Sequence, residues 1–481
     1  MSFQKFKTIY AICVYVSLAA FDNIVIGLFP PLFKNISQDL GVPISAMGVV
    51  SAVNILATAV SSLFWGYLSG KYNRKKLIIA GTLIWVAGVY LTSLSPSYLL
   101  LLAFQIVTGI GLGCVASIGF SALTDYVPYH SRGMILSLWG MSQGFGGIAG
   151  ALIASIISTL SDWRVPFEVL SLLGLLLIVF YFFVEEPKIG NTEPELRALI
   201  EEGQSYNYRI TLSQMSMMLG KRSNLLLFLQ GFFMNIATGS LIWLPTLYIA
   251  KLGALGYGNK VSVIVASFLY GIFQIGGTLT SLFGYLGDVL QRRNYKARAL
   301  ITAAFVFVTM PLYILLFIFP INQLSLPETV NSVTLFFSLM EQMFTNPWIL
   351  ALFTIALFAS AAQSANTPNW LALITDVNLP EHRGTVFSIA NLANSLGRTF
   401  GNLGVGGILA FVSIYLQSPG DYVLTMSLLE LPLIPSAICY LVMAKYNVSD
   451  IEHVKKVLDN RGRTICKRYE EYADRDEKRS T

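Results

Sequence analysis

The sequence predicts an all-α membrane protein in which twelve transmembrane helices form two pseudo-symmetric six-helix bundles. Of its 481 residues, 54% are apolar and 12% are charged, whereas a soluble domain carries about 25% charged residues. A chain this apolar needs lipid as the solvent for much of its surface. Lipid favours helices, because each segment must satisfy its own backbone groups. Twelve apolar runs and an internal repeat complete the prediction.

Each of the twelve runs reaches the length of roughly 20 residues that a helix needs to cross a bilayer. We number them as spans 1 to 12: 8–33, 44–69, 76–95, 98–125, 133–159, 164–184, 224–250, 261–287, 298–319, 347–375, 384–413 and 422–444. The first run follows Lys5 and Lys7 without a short apolar region or a small-residue cleavage site. We therefore interpret it as a membrane span and not as a signal peptide.

The basic residues predict the orientation of the spans. Most of the Lys and Arg residues lie in the two tails, the middle loop and the loops after spans 2, 4, 8 and 10. The alternate loops hold only Lys34, Arg164, Lys251 and Lys260. Because loops rich in Lys and Arg stay in the cytoplasm, we expect an integral protein of the plasma or cell inner membrane with both termini inside.

The middle loop divides the chain into four regions. We expect an N-terminal six-helix bundle at 1–184, a cytoplasmic central loop at 185–223, a C-terminal six-helix bundle at 224–445 and a cytoplasmic tail at 446–481. The apolar spacing within 210–223 fits either a helix on the inner leaflet or a solvated linker. The charged tail is expected to be partly helical or disordered.

Two basic segments that begin with Gly-Tyr-Leu mark the same position in the two halves. "GYLSGKYNRKK" starts at Gly66 and includes Gly70 and Arg74. "GYLGDVLQRRNYK" starts at Gly284 and includes Asp288, which has no counterpart in the first segment. We treat these five residues as candidate gating residues, because both segments join neighbouring spans on the predicted cytoplasmic side.

A second motif repeats as "TDYVPYHSRG" in the first half and "TDVNLPEHRG" in the second. It places an acid and an arginine at matching positions, Asp125 and Arg132 against Asp376 and Arg383. These four are also candidate gating residues. Since both copies lie on the same side, we predict parallel halves related by an axis along the membrane normal.

The span count, the division into halves and the repeated motifs resemble the major facilitator superfamily. Its motif, Gly-x-Leu-Ala-Asp-Arg-x-Gly-Arg-Arg/Lys, joins spans 2 and 3 and recurs in degenerate form between spans 8 and 9. The matching residues are Gly66, Leu68, Lys71, Arg74 and Lys75 in the first copy and Gly284, Leu286 and Asp288 in the second. The resemblance implies the fold of that superfamily and secondary active transport by alternating access around a central cavity.

The same resemblance implies an asymmetric gate. In the superfamily the Asp of the motif latches the gate against the positive N-terminal end of a helix in the opposite bundle. Asp288 is expected to do so at the start of span 5 near Arg132, whereas Gly70 cannot do so at span 11 near Arg383.

Three stretches resemble the spinster-like branch of lysophospholipid and sphingoid-lipid transporters. They are "FDNIVIG" (21–27), "GYLSGKYNRK" (66–75) and "GKRSNLLLFLQGFFMNIATGSLIWLPTLYI" (220–249). This resemblance implies a lysophospholipid-like or other amphiphilic substrate and coupling to a proton or another ion. Gln105 and Leu112 stand where the branch usually carries an Arg and a Glu in span 4.

Three charged residues lie deep inside spans, where each charge costs about 2.5–3.5 kcal/mol on insertion scales. Asp22 in span 1 is the candidate coupling carboxylate, or else a hydrogen-bonded structural acid. Arg398 in span 11 is the candidate ligand for an anionic head group, since Arg keeps its charge and binds phosphate or carboxylate in a bidentate way. The alternative for Arg398 is a permanent pair with Glu430 in span 12, itself a candidate substrate-binding residue.

Amide side chains inside the spans complete the candidate substrate site. They are Gln105, Asn235, Gln363, Asn391 and Asn394. Each of them could instead join two helices, a contact that contributes about 0.6 kcal/mol.

The sequence indicates neither an enzyme nor a cofactor. It contains no phosphate-binding Gly-x-x-x-x-Gly-Lys-Ser/Thr loop and no nucleophile elbow, and its four cysteines lack a metal-binding spacing. The expected partners are a small-molecule or lipid substrate, membrane lipids and a proton or cation, without nucleic acid. The protein is expected to be a monomer. Two alternatives stay open: a porter for a small organic anion or drug-like compound, and a non-transporting sensor on a transporter fold.

Overall fold

The computed structural model describes residues 3–69, 71–119, 122–123, 132–186, 218–327 and 330–480. Throughout these ranges the chain forms helices joined by turns and loops, without a strand. Ten of the described helices are long and apolar enough to cross a membrane. Helices also occupy all twelve predicted spans, and the predicted fold class is confirmed.

Spans 5 and 11 are not among the ten. The apolar stretch described within span 5 is the shorter segment Gly144–Leu160. Span 11 is the long helix Pro380–Val412, whose hydropathy is lowered by polar residues that include Asn391, Asn394 and Arg398. The helix that carries three of the seven candidate substrate-binding residues is thus less apolar than its neighbours.

The first six spans are continuous helices. They are Phe3–Asp39, Ala46–Ser69, Arg74–Ser93, Tyr98–Cys114, Arg132–Leu160 and Val165–Phe182. A π-helical turn, Val115–Gly119, extends span 4. Side chains cap two of the helices, because Asn73 and Ser97 accept hydrogen bonds from the backbone N–H groups of Lys76 and Leu100.

Four spans of the second half are interrupted. Span 7 consists of the helices Arg222–Ser240 and Leu244–Ala254, and span 8 of Asn259–Ile275 and Thr280–Arg293. Span 10 consists of Pro347–Ser364 and Asn366–Val377, and span 12 of Gly420–Leu429 and Leu433–Ser480. Turns of 3₁₀ helix, Leu241–Trp243 and Gly276–Leu279, fill the breaks in spans 7 and 8. Pro432 lies in the break of span 12, where it cannot donate a helical hydrogen bond. Span 9 is the uninterrupted helix Ala297–Ile318.

Two segments outside the bundles are also helical. The final helix continues to Ser480, so the charged tail extends span 12 without a break. The long loop before span 10 contains the helix Ser332–Thr345, which buries Leu335 and Leu339. Residues 187–217, which hold most of the predicted inner-leaflet helix, lie outside the described residues.

The two halves contact each other at one end of the molecule, which we call the far face. Thr246 Oγ1 donates a 3.2 Å hydrogen bond to the carbonyl oxygen of Pro30, and Lys260 Nζ donates a 2.7 Å bond to that of Thr159. The other end, the motif face, holds the two Gly-Tyr-Leu segments. The hydrogen bonds that join the halves in the described residues all lie at the far face.

Close helix packing seals the far face further. A Cβ atom added at Gly48 of span 2 would lie 2.7 Å from the carbonyl oxygen of Asn402 in span 11. One added at Gly406 of span 11 would lie 2.5 Å from the carbonyl oxygen of Ser45. Only glycine permits so close an approach of two helices. The far face is therefore closed in this conformation.

Candidate functional site

Arg398 lies near the middle of span 11, deep in the molecule, with an exposed side chain. Its backbone packs on span 7, where a Cβ atom added at Gly239 would lie 2.5 Å from the Arg398 carbonyl oxygen. Tyr270 of span 8 lies within electrostatic range of the guanidinium. No described residue forms an ion pair or a hydrogen bond with that guanidinium. A cation in this state is available to an anionic ligand.

Glu430 is fully buried at the break in span 12, two residues before Pro432. Its Oε1 lies 3.2 Å from Ser240 Oγ of span 7, and its Oε2 has no hydrogen-bond partner in the described part of the chain. Gly239 and Ser240 are consecutive, and they contact Arg398 and Glu430 respectively. The two charged residues lie near the same turn of span 7, but no ion pair joins them among the described residues.

Asp22 is buried near the middle of span 1, with 8% of its surface exposed. Its Oδ1 finds no hydrogen-bond partner among the described residues. Span 5 covers one side of this helix, since a Cβ atom added at Gly150 would lie 2.3 Å from the Ile24 carbonyl oxygen. On the side of span 4, Cys114 lies within electrostatic range of Asp22 where the regular helix changes to the π-helical turn. Such turns occur frequently at functional sites.

Gln105 uses its amide group inside the first half. Nε2 donates a 2.8 Å hydrogen bond to Thr92 Oγ1, and Oε1 accepts a 3.0 Å bond from Asn54 Nδ2. These bonds tie spans 2, 3 and 4 together. The hydrogen bonds favour a structural role for Gln105, as a contact between helices, over a role in substrate binding.

Gln105 and Asn54 also border a small cavity of about 20 Å³, where Ile242 of the second half meets residues of the first half. Spans 1, 2 and 7 supply its mostly apolar wall, which includes Val25, Phe29, Val50, Ile55 and Ile242. Ile242 follows Ser240 by two residues, so the cavity lies next to the turn of span 7 that contacts the Arg398 backbone and the Glu430 carboxyl group.

Span 11 presents a row of polar side chains. Asn391, Asn394 and Arg398 are spaced by three and four residues and therefore share one face of the helix. Asn391 is exposed, and Asn394 Oδ1 is buried without a described hydrogen-bond partner. Asn394 lies against Gly231, where an added Cβ atom would be 2.0 Å from Oδ1. The structure thus brings three of the predicted substrate-binding residues together.

Two further predicted residues make local hydrogen bonds. Asn235 Oδ1 accepts a 3.2 Å bond from Thr238 Oγ1, and its Nδ2 donates a 2.8 Å bond to the Gly231 carbonyl oxygen. Gln363 Oε1 accepts a hydrogen bond from the hydroxyl of Tyr313. Both amides are partly accessible.

A charge cluster at the motif face contains two predicted gating residues. Arg298 is 4% exposed and pairs with Asp288 through Nη2. It also pairs with Asp376 through Nη1, at 2.9 Å. All three residues belong to the second half, so Asp288 is paired within its own bundle and not with span 5. The side chain of the expected partner Arg132 lies outside the described side chains, and the latch between the bundles stays a prediction.

The first Gly-Tyr-Leu segment and its copy differ in packing. A Cβ atom added at Gly66 meets nothing within 4 Å, whereas one added at Gly284 would lie 3.1 Å from Pro368. Arg74 is buried, and its backbone N–H donates a 3.0 Å bond to a Glu186 carboxylate oxygen. Close packing at the leading glycine is therefore found at the second copy and not at the first.

Three other predicted gating positions cannot be compared. Gly70 and Asp125 lie outside the described residues, and the side chain of Arg383 lies outside the described side chains.

Sequence reasoning did not single out Ser240 or Tyr313. Ser240 contacts Glu430, and Tyr313 lies within electrostatic range of it. A serine and a tyrosine inside apolar helices carry no distinguishing signal in one sequence. Pro432, two residues after Glu430, was an available indication that the helix breaks there.

Comparison with known proteins places the chain in context. A family model for the Major Facilitator Superfamily matches residues 12–327. The chain is 27% identical to the probable sulfoacetate transporter SauU of Cupriavidus necator, over 43% of this chain and 47% of that protein. It is 23% identical to the protein spinster of Drosophila melanogaster, over 34% of this chain and 27% of that protein. The matches span less than half the length of these relatives.

A solved structure covers more of the chain. It is a bacterial homologue of the human lysosomal transporter Spinster in an inward-facing and occupied conformation. It matches with a TM-score of 0.69 and 16% identity, over 94% of this chain and 98% of that one. At this identity the match shows a shared fold.

Proposed function

The chain belongs to the Major Facilitator Superfamily, a family of transporters, and on this premise we propose that it carries an anionic, amphiphilic substrate by secondary active transport. A lysophospholipid such as lysophosphatidylglycerol has the required chemistry, a head with one net negative charge and one acyl chain. The observation that carries the proposal is the exposed guanidinium of Arg398, deep in the molecule and without a partner among the described residues. A charge in that position is too costly to be retained without a ligand or a function.

The surroundings of Arg398 support an amphiphilic ligand. Asn391 and Asn394 continue the polar face of span 11 and offer hydrogen bonds to a head group. The apolar side chains that line the small cavity beside Ile242 would contact an acyl chain if the halves separate there. Ligand sites commonly combine a mostly apolar cavity with a few convergent polar groups.

Asp22 is the proposed coupling residue in the first half. Its carboxyl group is buried, lacks a described hydrogen-bond partner on Oδ1 and lies beside an irregular turn of span 4. Binding a proton or a cation would relieve the cost of burying this group. Exchange of that ion between the two conformations would couple transport to an ion gradient.

In the proposed transport cycle, the far face and the motif face of the molecule close in turn. The motif face would be cytoplasmic, because the basic loops lie there. In this conformation the far face is closed by contacts between the halves, so the cytoplasmic side would be open. The opposite conformation would close the motif face, with the Asp288 segment contributing more to the latch than the Gly70 segment.

A small organic anion is the second candidate substrate. The similarity to a probable sulfoacetate transporter favours it, and an unpaired guanidinium suits a sulfonate or a carboxylate equally well. The two candidates share the anionic group and differ in the apolar part.

Transport assays in proteoliposomes test the proposal. Uptake of radiolabelled lysophosphatidylglycerol and of sulfoacetate is measured across an imposed pH gradient, with protein-free liposomes as the blank. We expect uptake of the lysolipid that Arg398→Ala abolishes and that Arg293→Ala, at an exposed arginine of the motif face, leaves intact. Uptake of sulfoacetate alone would favour the small anion, and uptake of neither would contradict an anionic substrate of these classes.

A further inference from the structure

The hydrogen-bond geometry around Glu430 is compatible with a proton on its carboxyl group. Ser240 Oγ lies 2.8 Å from the Ala237 carbonyl oxygen and 3.2 Å from Glu430 Oε1. A serine hydroxyl has one hydrogen to donate, and a carbonyl oxygen can only accept. If the hydrogen follows the shorter contact to Ala237, the contact with Glu430 is a hydrogen bond only when Glu430 donates. A carboxyl group can donate only in its protonated form.

The charges around Glu430 support the same assignment. The carboxyl group is fully buried, and no described Lys or Arg lies within ion-pair distance of it. Of the helices packed against it, span 9 contributes the hydroxyl of Tyr313 and span 7 the hydroxyl of Ser240. Span 11 contributes Arg398, whose backbone packs on Gly239 and whose guanidinium lies within electrostatic range of Tyr270. A buried carboxylate without a paired cation is strongly unfavourable.

Arg398 and Glu430 lie beside two helix breaks. Span 7 leaves the regular helix directly after Ser240, at Leu241–Trp243, and span 12 breaks at Glu430. Interrupted helices in transporters commonly form the binding site for substrate and coupling ion. A small shift at either break changes the separation between the guanidinium and the carboxyl group.

We propose that Glu430 is a proton-binding site that decides whether Arg398 is available to an anion, an inference that rests on the proposed transport of an anionic substrate. When Glu430 carries its proton, Arg398 is unpaired and binds the anionic group. When the O–H bond breaks, the proton leaves to water and the carboxylate attracts the guanidinium. The carboxylate then competes with the substrate. The protein therefore binds one proton at Glu430 together with one anionic group at Arg398. This site lies in the second half and is separate from Asp22.

Infrared spectroscopy tests the proton directly, without a substrate. The protein in nanodiscs is titrated between about pH 5 and about pH 9, and the carbonyl band of protonated carboxylic acids is recorded. We expect Glu430→Gln to remove one component of this band, and the exposed Glu341→Gln on the loop helix Ser332–Thr345 to leave the band unchanged at neutral pH. A band that Glu430→Gln leaves unaltered would overturn the assignment.

Binding of lysophosphatidylglycerol tests the link to Arg398. The phosphodiester head keeps one negative charge over this range, so a pH effect belongs to the protein. We expect the affinity of the unmodified protein to fall about tenfold for each pH unit above the point at which Glu430 loses its proton. Glu430→Gln should keep the high affinity at every pH. An unchanged pH dependence in this variant would exclude Glu430 as the switch.

Ser240→Ala gives an independent answer that does not require the Glu430 variant to fold. The variant lacks the Ser240 hydroxyl oxygen that accepts a hydrogen bond from the protonated Glu430 carboxyl group, so Glu430 loses its proton more readily. The fall in affinity for lysophosphatidylglycerol should therefore occur at lower pH than in the unmodified protein. A move to higher pH would mean that Ser240 donates to a carboxylate, and the proton assignment would be wrong. If the unmodified protein binds no lysolipid at any pH, the proposed substrate class fails, and the infrared band alone decides the proton site.

Discussion

Lys260 in span 8 donates a 2.7 Å hydrogen bond from Nζ to the carbonyl oxygen of Thr159 at the end of span 5, across the boundary between the two halves. Beside it, Asn259 Nδ2 donates a 3.0 Å bond to Asn35 Oδ1 of span 1. Together with the bond from Thr246 to Pro30, these are the hydrogen bonds between the halves in the part of the chain that the structure describes. Opening of this face then requires breaking a small number of hydrogen bonds and separating the glycine-lined helices.

Lys260→Ala should favour opening of the far face. Loss of a hydrogen bond of about 1 kcal/mol shifts the balance between conformations about fivefold. The measurement is pulsed electron paramagnetic resonance between spin labels at the exposed positions Leu160 and Leu255, in a background without the native cysteines. Lys34→Ala is the matched control, since no described residue bonds to the Lys34 ammonium group. Equal distance distributions in the two variants would show that Lys260 does not hold this face.

Two adjacent glycines give a sharper test of the helix contact between spans 2 and 11. A Cβ atom added at Gly406 would lie 2.5 Å from the Ser45 carbonyl oxygen, whereas one added at Gly407 meets nothing within 4 Å. Gly406→Ala should therefore force the helices apart and lengthen the Leu160–Leu255 distance, and Gly407→Ala should leave it unchanged. The two variants change the intrinsic helix propensity equally. If both variants changed the Leu160–Leu255 distance equally, the contact between spans 2 and 11 would not control closure of the far face.

The helices, their order and the parallel halves could be predicted from the sequence, because lipid imposes a minimum length and an apolar composition on each span. Asp22 and Arg398 could be singled out for the same reason, since charges are rare in such helices. The helix breaks were not predicted, because short turns within an apolar run leave its composition unchanged. The role of Ser240 depends on a contact with Glu430 between distant parts of the chain, and one sequence does not contain that information.

The buried Arg298 and the exposed Arg398 of the second half should respond differently to removal. Arg398→Ala removes a guanidinium without a described partner, so we expect at least about a tenfold loss of lysolipid affinity and little change in thermal stability. Arg298→Ala leaves Asp288 and Asp376 without their cation and should lower the thermal stability. Thermal denaturation and binding are measured on both purified variants. A large stability loss with unchanged affinity for Arg398→Ala would support a structural role instead.

Asp22→Asn should uncouple transport from the ion gradient without unfolding the protein. Asn has nearly the same shape as Asp but cannot change its charge, so gradient-driven uptake should fall while exchange of substrate across the membrane continues. Both are measured in the same proteoliposomes, with thermal denaturation as the check on folding. Normal gradient-driven uptake by this variant would remove Asp22 from the coupling mechanism.

The central claim is that the molecule opens alternately at its two faces, and distance measurements on both faces test it most directly. Tyr67 and Tyr285 occupy the same position in the two Gly-Tyr-Leu segments and are 61% and 67% exposed, so spin labels there report the opening of the motif face. Labels at Leu160 and Leu255 report the far face in a second sample. With increasing lysophosphatidylglycerol, the account predicts that the motif-face distance shortens as the far-face distance lengthens. Two distances that stay constant, or that lengthen together, would contradict alternating access.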